Sequence, residues 1–140
     1  MSMKVPPGFD FLVYADGSCI GNPGPGGWGV VVVRPDGSES EHHGTNPATT
    51  NNQMEIAAAV EGLRQTTPAS RVLLRSDSQY VIKTMTLNWK RRKNHELWAA
   101  LDAEAARREV TFEWVRGHDS DPLNERADLL ANLGSRGGAA

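Results

Sequence analysis

Four acidic residues stand in settings that suit metal-ion chemistry. Asp16 closes an apolar run and opens a glycine-rich segment, in Tyr14-Ala15-Asp16-Gly17-Ser18. Glu55 falls in the first turn of an expected helix, after Thr50-Asn51-Asn52-Gln53-Met54. Asp77 closes a second apolar run, Leu73-Leu74-Arg75-Ser76-Asp77, and Asp128 lies inside a late helical pattern, Asn124-Glu125-Arg126-Ala127-Asp128. In an α/β fold, carboxylates at strand ends and on helices can converge, because sites form where the strands end. Converging carboxylates repel and raise one another's pKa. A hard divalent cation removes that repulsion, and oxygen-only ligands favour Mg²⁺ or Mn²⁺ over zinc.

The elements that would position these residues are legible from period and punctuation. Phe9, Phe11, Val13 and Ala15 alternate with Asp10, Leu12, Tyr14 and Asp16, which reads as a strand. Residues 17–27 carry five glycines besides Pro23 and Pro25, and read as a loop. Trp28-Gly29-Val30-Val31-Val32-Val33 reads as a buried strand, and Pro35-Asp36-Gly37 as the turn of a hairpin. The returning strand, over 39–44, is polar and belongs toward an edge.

A helix follows. Asn52 with Glu55 and Thr50 with Gln53 both have capping-box spacing, and Ile56, Val60 and Leu63 make an apolar stripe. Residues 71–76 read as a strand and 78–85 as a short helix, while Leu97, Trp98, Leu101 and Ala105 mark a third helix. Val110, Phe112 and Trp114 alternate in a last strand. Asp121-Pro122 looks like the cap and first position of a final helix that Gly134 ends. The order βββ-α-β-α-α-β-α predicts a mixed sheet whose first three strands are antiparallel, with helices on its faces.

Composition narrows the function classes. A chain of 140 residues fits one domain with one core, and 39% hydrophobic with 23% charged residues is ordinary for a globular protein. Residues 1–8 and 135–140 are expected to be flexible. Cys19 is the one cysteine, so an intrachain disulfide and a CxxC zinc site are excluded, and a reducing, cytoplasmic setting is expected. The first residues lack the apolar core of a signal peptide. No apolar run is long enough to span a bilayer. The net charge of −2 argues against a polyanionic partner, but two bound dications would turn it into about +2. The basic residues also cluster in Lys90-Arg91-Arg92-Lys93, next to Trp89, a combination that suits nucleic acid as well as a solvated turn.

The motifs Asp16 to Gly27, Thr50 to Glu55, Ser76-Asp77-Ser78-Gln79-Tyr80-Val81, and Val115-Arg116-Gly117-His118 with Asn124 to Asp128 resemble type 1 ribonuclease H, in order and across 11–133. The resemblance implies a ribonuclease H-like fold of class α/β with a five-stranded mixed sheet. It implies an endonuclease that cuts the RNA strand of RNA/DNA hybrids with two Mg²⁺ ions, Mn²⁺ being the alternative, and leaves 5′-phosphate and 3′-hydroxyl ends. Asp16, Glu55, Asp77 and Asp128 would be the metal ligands, with His118 assisting turnover beside them. Asn22, Asn51, Asn52 and Gln79 would contact the minor groove and 2′-hydroxyls. Thr50 and Asn94 would hold a DNA-strand phosphate, and Tyr80 and Trp89 would form the aromatic side of the DNA channel. Cys19 and the run Lys90, Arg91, Arg92 and Lys93 complete the nucleic-acid face. The partner is then an RNA/DNA hybrid, with no membrane and no obligate protein partner, as a monomer.

The chain departs from that family in one place. Many bacterial members carry a longer basic protrusion between the helix after Asp77 and the helix near Asn94, where only residues 84–93 stand here. A separate N-terminal hybrid-binding domain is not expected, since eight residues precede Phe9.

Each residue alone has a plainer reading. Asp16 suits an Asp-Gly turn, Glu55 a capping box with Asn52, Asp77-Ser78 a helix cap, Asp128 a solvated helix face, and His118 a loop. The Cys19 thiol by itself reads as packed or backbone-contacting rather than nucleophilic. The glycine-rich segment is no phosphate-binding Walker loop, because no Gly-Lys-Ser/Thr closes it. Three functional alternatives stay open on the residues: a reverse-transcriptase domain, a metal-free hybrid-binding module, and a nuclease of duplex DNA.

Overall fold

The computed structural model describes residues 5–117 and 121–137. Its elements run β1 (Phe11–Cys19), β2 (Gly24–Val33), β3 (Glu39–Thr49), α1 (Asn51–Arg64), β4 (Arg71–Ser76), α2 (Gln79–Leu87), α3 (His95–Ala106), β5 (Glu109–Trp114) and α4 (Pro122–Ser135). The five strands form one sheet in the order β3-β2-β1-β4-β5. β1 pairs antiparallel with β2 and parallel with β4, and β3 lies at the edge, as its polar composition predicts.

The central strand β1 is buried on both faces, and its alternation sorts two cores. Phe11, Val13 and Ala15 face one side with Val30, Val32, Ile56, Leu63, Trp98 and Leu101. Leu12 and Tyr14 face the other, with Val31, Val33, Leu73, Ala127 and Leu130. Helices α1 and α3 thus cover one face and α4 the other. The α4 layer lies flush on the sheet because β2 carries no side chain at Gly29. A Cβ there would stand 2.3 Å from the Ala127 carbonyl oxygen and 2.5 Å from the Ala131 nitrogen. No described helix is long and apolar enough to cross a membrane.

The structure revises several local expectations. Strand β1 starts at Phe11 rather than Phe9 and continues to Cys19, and β2 begins at Gly24. Most of the expected 17–27 loop is therefore paired strand, with Gly17 opposite Trp28 and Cys19 opposite Gly26. The ladder supplies the backbone partners, and the glycines let other elements approach it. β3 runs on to Thr49, and α2 covers Gln79–Leu87 after a Ser78 cap. Helix α4 passes through Gly134, which is buried, and ends beyond Ser135. Ser135 is itself buried, so the expected flexible tail does not begin there.

Candidate active site

The register of the sheet brings two of the four carboxylates together. β1 and β4 run parallel with Tyr14 level with Arg75. Two residues further along each, Asp16 and Asp77 stand side by side at the carboxyl end of the sheet, where α/β sites form. Asp16 is buried, at 3% exposure.

Helix α1 delivers the third. Of the two capping boxes the spacing allows, Thr50 with Gln53 is the one that forms, with Thr50 as the cap. Glu55 therefore lies in the second turn, not the first, and its carboxylate is not consumed in capping. It accepts a hydrogen bond from the Gly17 N–H at 2.7 Å instead. The same N–H also reaches Asp16 Oδ1 at 2.9 Å. This approach requires glycine at 17, since a Cβ would lie 2.4 Å from the Glu55 nitrogen and 2.6 Å from the Met54 carbonyl carbon.

Asp16, Glu55 and Asp77 each offer an oxygen, and these lie within 4.8 Å of one another, the one such acidic cluster among the described residues. Asp128 joins from α4, near enough to interact electrostatically with both Asp16 and Glu55. Its Oδ2 receives a long contact from Asn132 Nδ2 at 3.5 Å, and Asn132 Oδ1 accepts from the Ser18 hydroxyl at 2.6 Å. Asp77 also packs against the loop that leads to residue 118, because a Cβ at Gly117 would stand 2.9 Å from Asp77 Oδ2. His118 lies outside the described residues.

The electrostatics of the cluster are those of an unneutralised cation site. Burial first, then the charges of Glu55 and Asp77, push the Asp16 carboxyl far above the usual carboxylate range. Burial and the Asp77 charge push Glu55 up as well, with the Gly17 N–H working against them. Asp16 Oδ2 is buried and has no hydrogen-bond partner. A buried oxygen without a donor, in an all-oxygen set of converging acids, fits a hard divalent cation.

A second feature lies beside this centre. A cavity of about 330 Å³ is lined by Thr50, Gln53, Tyr80 and Asn94 together with Asn22 and Asn52. Lys90, Arg92 and Lys93 complete its lining. Asn22 Oδ1 accepts from the Asn51 N–H at 2.9 Å, which turns its amide NH₂ away from α1. Gln53 was legible in the sequence only as a capping residue. Its position between Thr50 and Asn94 depends on the packing of α1 against the start of α3, which no local spacing encodes.

Other expected contacts fall elsewhere. Arg91 does not line the cavity. It makes a bidentate ion pair with Asp102 and lies over the Trp98 ring, 5.1 Å from its centroid. The Cys19 thiol points at the carbonyl oxygens of Gly21, Gly24 and Thr49. Trp89 is 44% exposed, with Lys83 Nζ 5.5 Å from its ring centroid, and is not part of the cavity wall. Gln79 opens α2, one residue after the Ser78 cap.

The chain is similar to known proteins in sequence and in fold. The family model for RNase H matches residues 9–136. A ribonuclease H from Bordetella avium is 52% identical over 147 residues, covering 96% of this chain and 95% of that protein. One from Pseudomonas entomophila is 50% identical, covering 87% of this chain and 90% of its own. Among solved structures, the N-terminal RNase H domain of a Mycobacterium tuberculosis protein superposes with a TM-score of 0.81 at 30% identity, covering 94% of this chain and 99% of that one. An RNase H1 named LC11, solved in complex with an RNA/DNA hybrid, superposes with a TM-score of 0.78 at 26% identity, covering 93% and 99%. Matched by the family model over 9–136, and similar to these proteins in fold and along nearly its whole length, this chain belongs to the RNase H family of nucleases.

Proposed function

We propose that this protein is an endonuclease that hydrolyses the RNA strand of RNA/DNA hybrids by a two-metal-ion mechanism, leaving 5′-phosphate and 3′-hydroxyl ends. The observation that carries the reading is the cluster of buried Asp16 and Glu55 with half-buried Asp77, within a chain matched by the RNase H model over 9–136. The complex of LC11 with an RNA/DNA hybrid supports the substrate class.

Asp16, Glu55, Asp77 and Asp128 would hold two Mg²⁺ ions, or Mn²⁺ in their place. Bound there, such a pair activates a water at neutral pH and stabilises the leaving 3′-oxygen. Asp16, the most central of the four, would serve both ions. Asp128 would help hold the metal that supplies the attacking water, and Glu55 and Asp77 the metal that steadies the leaving oxygen. His118 relays a proton or helps the product depart, a role suited to a group that titrates near neutrality.

Substrate choice lies in the sugar and the backbone. Asn22, Asn51, Asn52 and Gln79 test for 2′-hydroxyls, which are both donors and acceptors. Thr50 and Asn94 take a phosphate of the DNA strand, while Tyr80 and Trp89 line its path. Lys90, Arg92 and Lys93 add sequence-independent attraction, so base sequence matters little. We take the enzyme to act as a monomer with no obligate protein partner, and in the cytoplasm, the latter reading resting on its lone cysteine.

The test is a cleavage assay on RNA/DNA, RNA/RNA and DNA/DNA duplexes, with and without Mg²⁺. The hybrid should be cut in its RNA strand, and only with the metal. A hybrid with 2′-deoxy sugars around the cut should resist. Efficient cutting of all-DNA duplex under the same conditions would overturn the substrate class.

A further inference from the structure

The cavity beside the carboxylates contains a chain of side-chain hydrogen bonds whose direction is fixed from one end. It starts at a backbone group that can only donate. The Thr50 N–H reaches Gln53 Oε1 at 3.2 Å, and the Thr49 hydroxyl reaches the same oxygen at 2.7 Å. The Gln53 amide is thereby oriented, and its Nε2 faces Asn94 at 3.2 Å. Because Nε2 is a donor, the Asn94 atom that meets it must be Oδ1. Asn94 Nδ2 then faces the Tyr80 hydroxyl oxygen at 3.2 Å and donates to it. Asn94 itself is held at φ = 60°, a left-handed conformation that Asn tolerates, so its backbone adds to the constraint.

This order decides what the cavity offers a ligand. The Thr50 oxygen accepts from the Gln53 N–H at 3.2 Å, which leaves the Thr50 hydroxyl proton to donate. The second Nδ2 proton of Asn94 and the Tyr80 hydroxyl proton are left to donate as well. Lys90, Arg92 and Lys93 stand on the same wall, and no lining residue is acidic.

We propose that Gln53 is a positioning residue that sets the hydrogen-bonding polarity of this cavity, turning Asn94 and Tyr80 into donors for a phosphodiester of the DNA strand. The proposal rests on the hybrid-nuclease reading and deepens it. Were Asn94 reversed, its carbonyl oxygen would meet the phosphate, and an acceptor would oppose an anion. Gln53 touches no reacting atom and acts through Asn94.

The experiment compares wild type, Gln53→Glu and Gln53→Met on one RNA/DNA hybrid at fixed salt. A glutamate at 53 keeps the cap, since a carboxylate oxygen still accepts from the Thr50 N–H and the Thr49 hydroxyl. Its other oxygen cannot donate to Asn94, so the asparagine amide reverses. KM should rise about tenfold or more, the loss expected for hydrogen bonds to a charged group, while kcat stays within about twofold. Gln53→Met frees Asn94 without adding charge and should raise KM by a smaller factor, about threefold, as both amide orientations become populated.

Single neutral methylphosphonates placed along the DNA strand supply the second readout. One position should weaken substrate use by wild type and make little difference to Gln53→Glu. Equal sensitivity of the two proteins at every position would overturn the proposal, as would a wild-type KM for Gln53→Met, which would reduce the Glu effect to added charge. If Gln53→Met does not fold, the methylphosphonate comparison with Gln53→Glu decides alone. A wild type that fails to cut the hybrid would sink the substrate reading, and this proposal with it.

Discussion

The Tyr14 hydroxyl donates to Asp121 Oδ2 at 2.6 Å, at the start of α4. It also accepts from Arg75 Nη1 at 3.0 Å. Tyr14 and Arg75 each lie two residues before a site carboxylate, Asp16 and Asp77, and Asp121 caps the helix that carries Asp128. One polar contact thus ties together the three elements that bring these acids together.

Tyr14→Phe removes one oxygen and no carbon. It leaves Asp121 and Arg75 short of a partner, so the fold should lose about 1–2 kcal/mol near neutral pH. Burial first, and the Asp121 contact second, raise the Tyr14 pKa to about 12. A raised folded pKa means the tyrosine's contribution is complete below its unfolded value of about 10 and is lost as pH rises through 12. The stability gap between wild type and Tyr14→Phe should therefore be constant from pH 7 to 9 and narrow above pH 10. Denaturant unfolding at several pH values measures this, and a gap that widens with alkali would refute it.

Asp16→Asn should abolish turnover while stabilising the metal-free fold. The amide is nearly isosteric but lacks the charge to hold two cations, so cleavage should fall by at least ~10³-fold, or about 4 kcal/mol of transition-state stabilisation. The Asp16 carboxyl is raised in the folded state, so its favourable contribution is complete at acid pH and is lost as pH rises toward neutrality. The mutant should gain at least about 1 kcal/mol over metal-free wild type at pH 7, and less at pH 4. Mg²⁺ should stabilise wild type and leave the mutant unaffected. A mutant with wild-type turnover would end the assignment of Asp16.

Gly17→Ala tests the approach of α1 to β1. The new methyl would meet backbone atoms of Met54 and Glu55, which have no flexible end to move aside. Helix α1 must shift, at about 1–3 kcal/mol of stability, and Glu55 shifts with it. Thermal unfolding should show the loss, and cleavage should fall even where the protein is fully folded. An alanine mutant with unchanged activity would show that Glu55 need not be held there.

The basic run should divide by function. Replacing Arg92 and Lys93 with alanine should raise KM, with little effect on kcat, and flatten the dependence of log affinity on log salt by up to about 2 units. Arg91→Ala should leave that slope alone and lower the melting temperature, because Arg91 is engaged with Asp102 and Trp98. A salt slope changed as much by Arg91→Ala as by the pair would mean that Arg91 leaves Asp102 to reach the substrate.

The sequence determined the order and type of the nine elements among the described residues and pointed to Asp16, Glu55, Asp77 and Asp128. Those signals are local: alternation in β1, the Pro35-Asp36-Gly37 turn, the Ile56-Val60-Leu63 stripe of α1 and the Asp121-Pro122 start of α4 depend on residues within a few positions of one another. The tertiary structure decided what depends on contacts between distant segments. It chose Thr50 over Asn52 as the cap and so left the Glu55 carboxylate for Gly17, 38 positions away. It folded Arg91 onto Trp98 while Arg92 and Lys93 stayed on the cavity wall. It also kept 17–19 and 26–27 as paired strand, because β1 and β2 satisfy one another's backbone groups whatever the glycine content suggests. The polarity of Asn94 was beyond local reading for the same reason: it is set by a glutamine 41 positions earlier, through a hydrogen bond that exists only once α1 and α3 have packed.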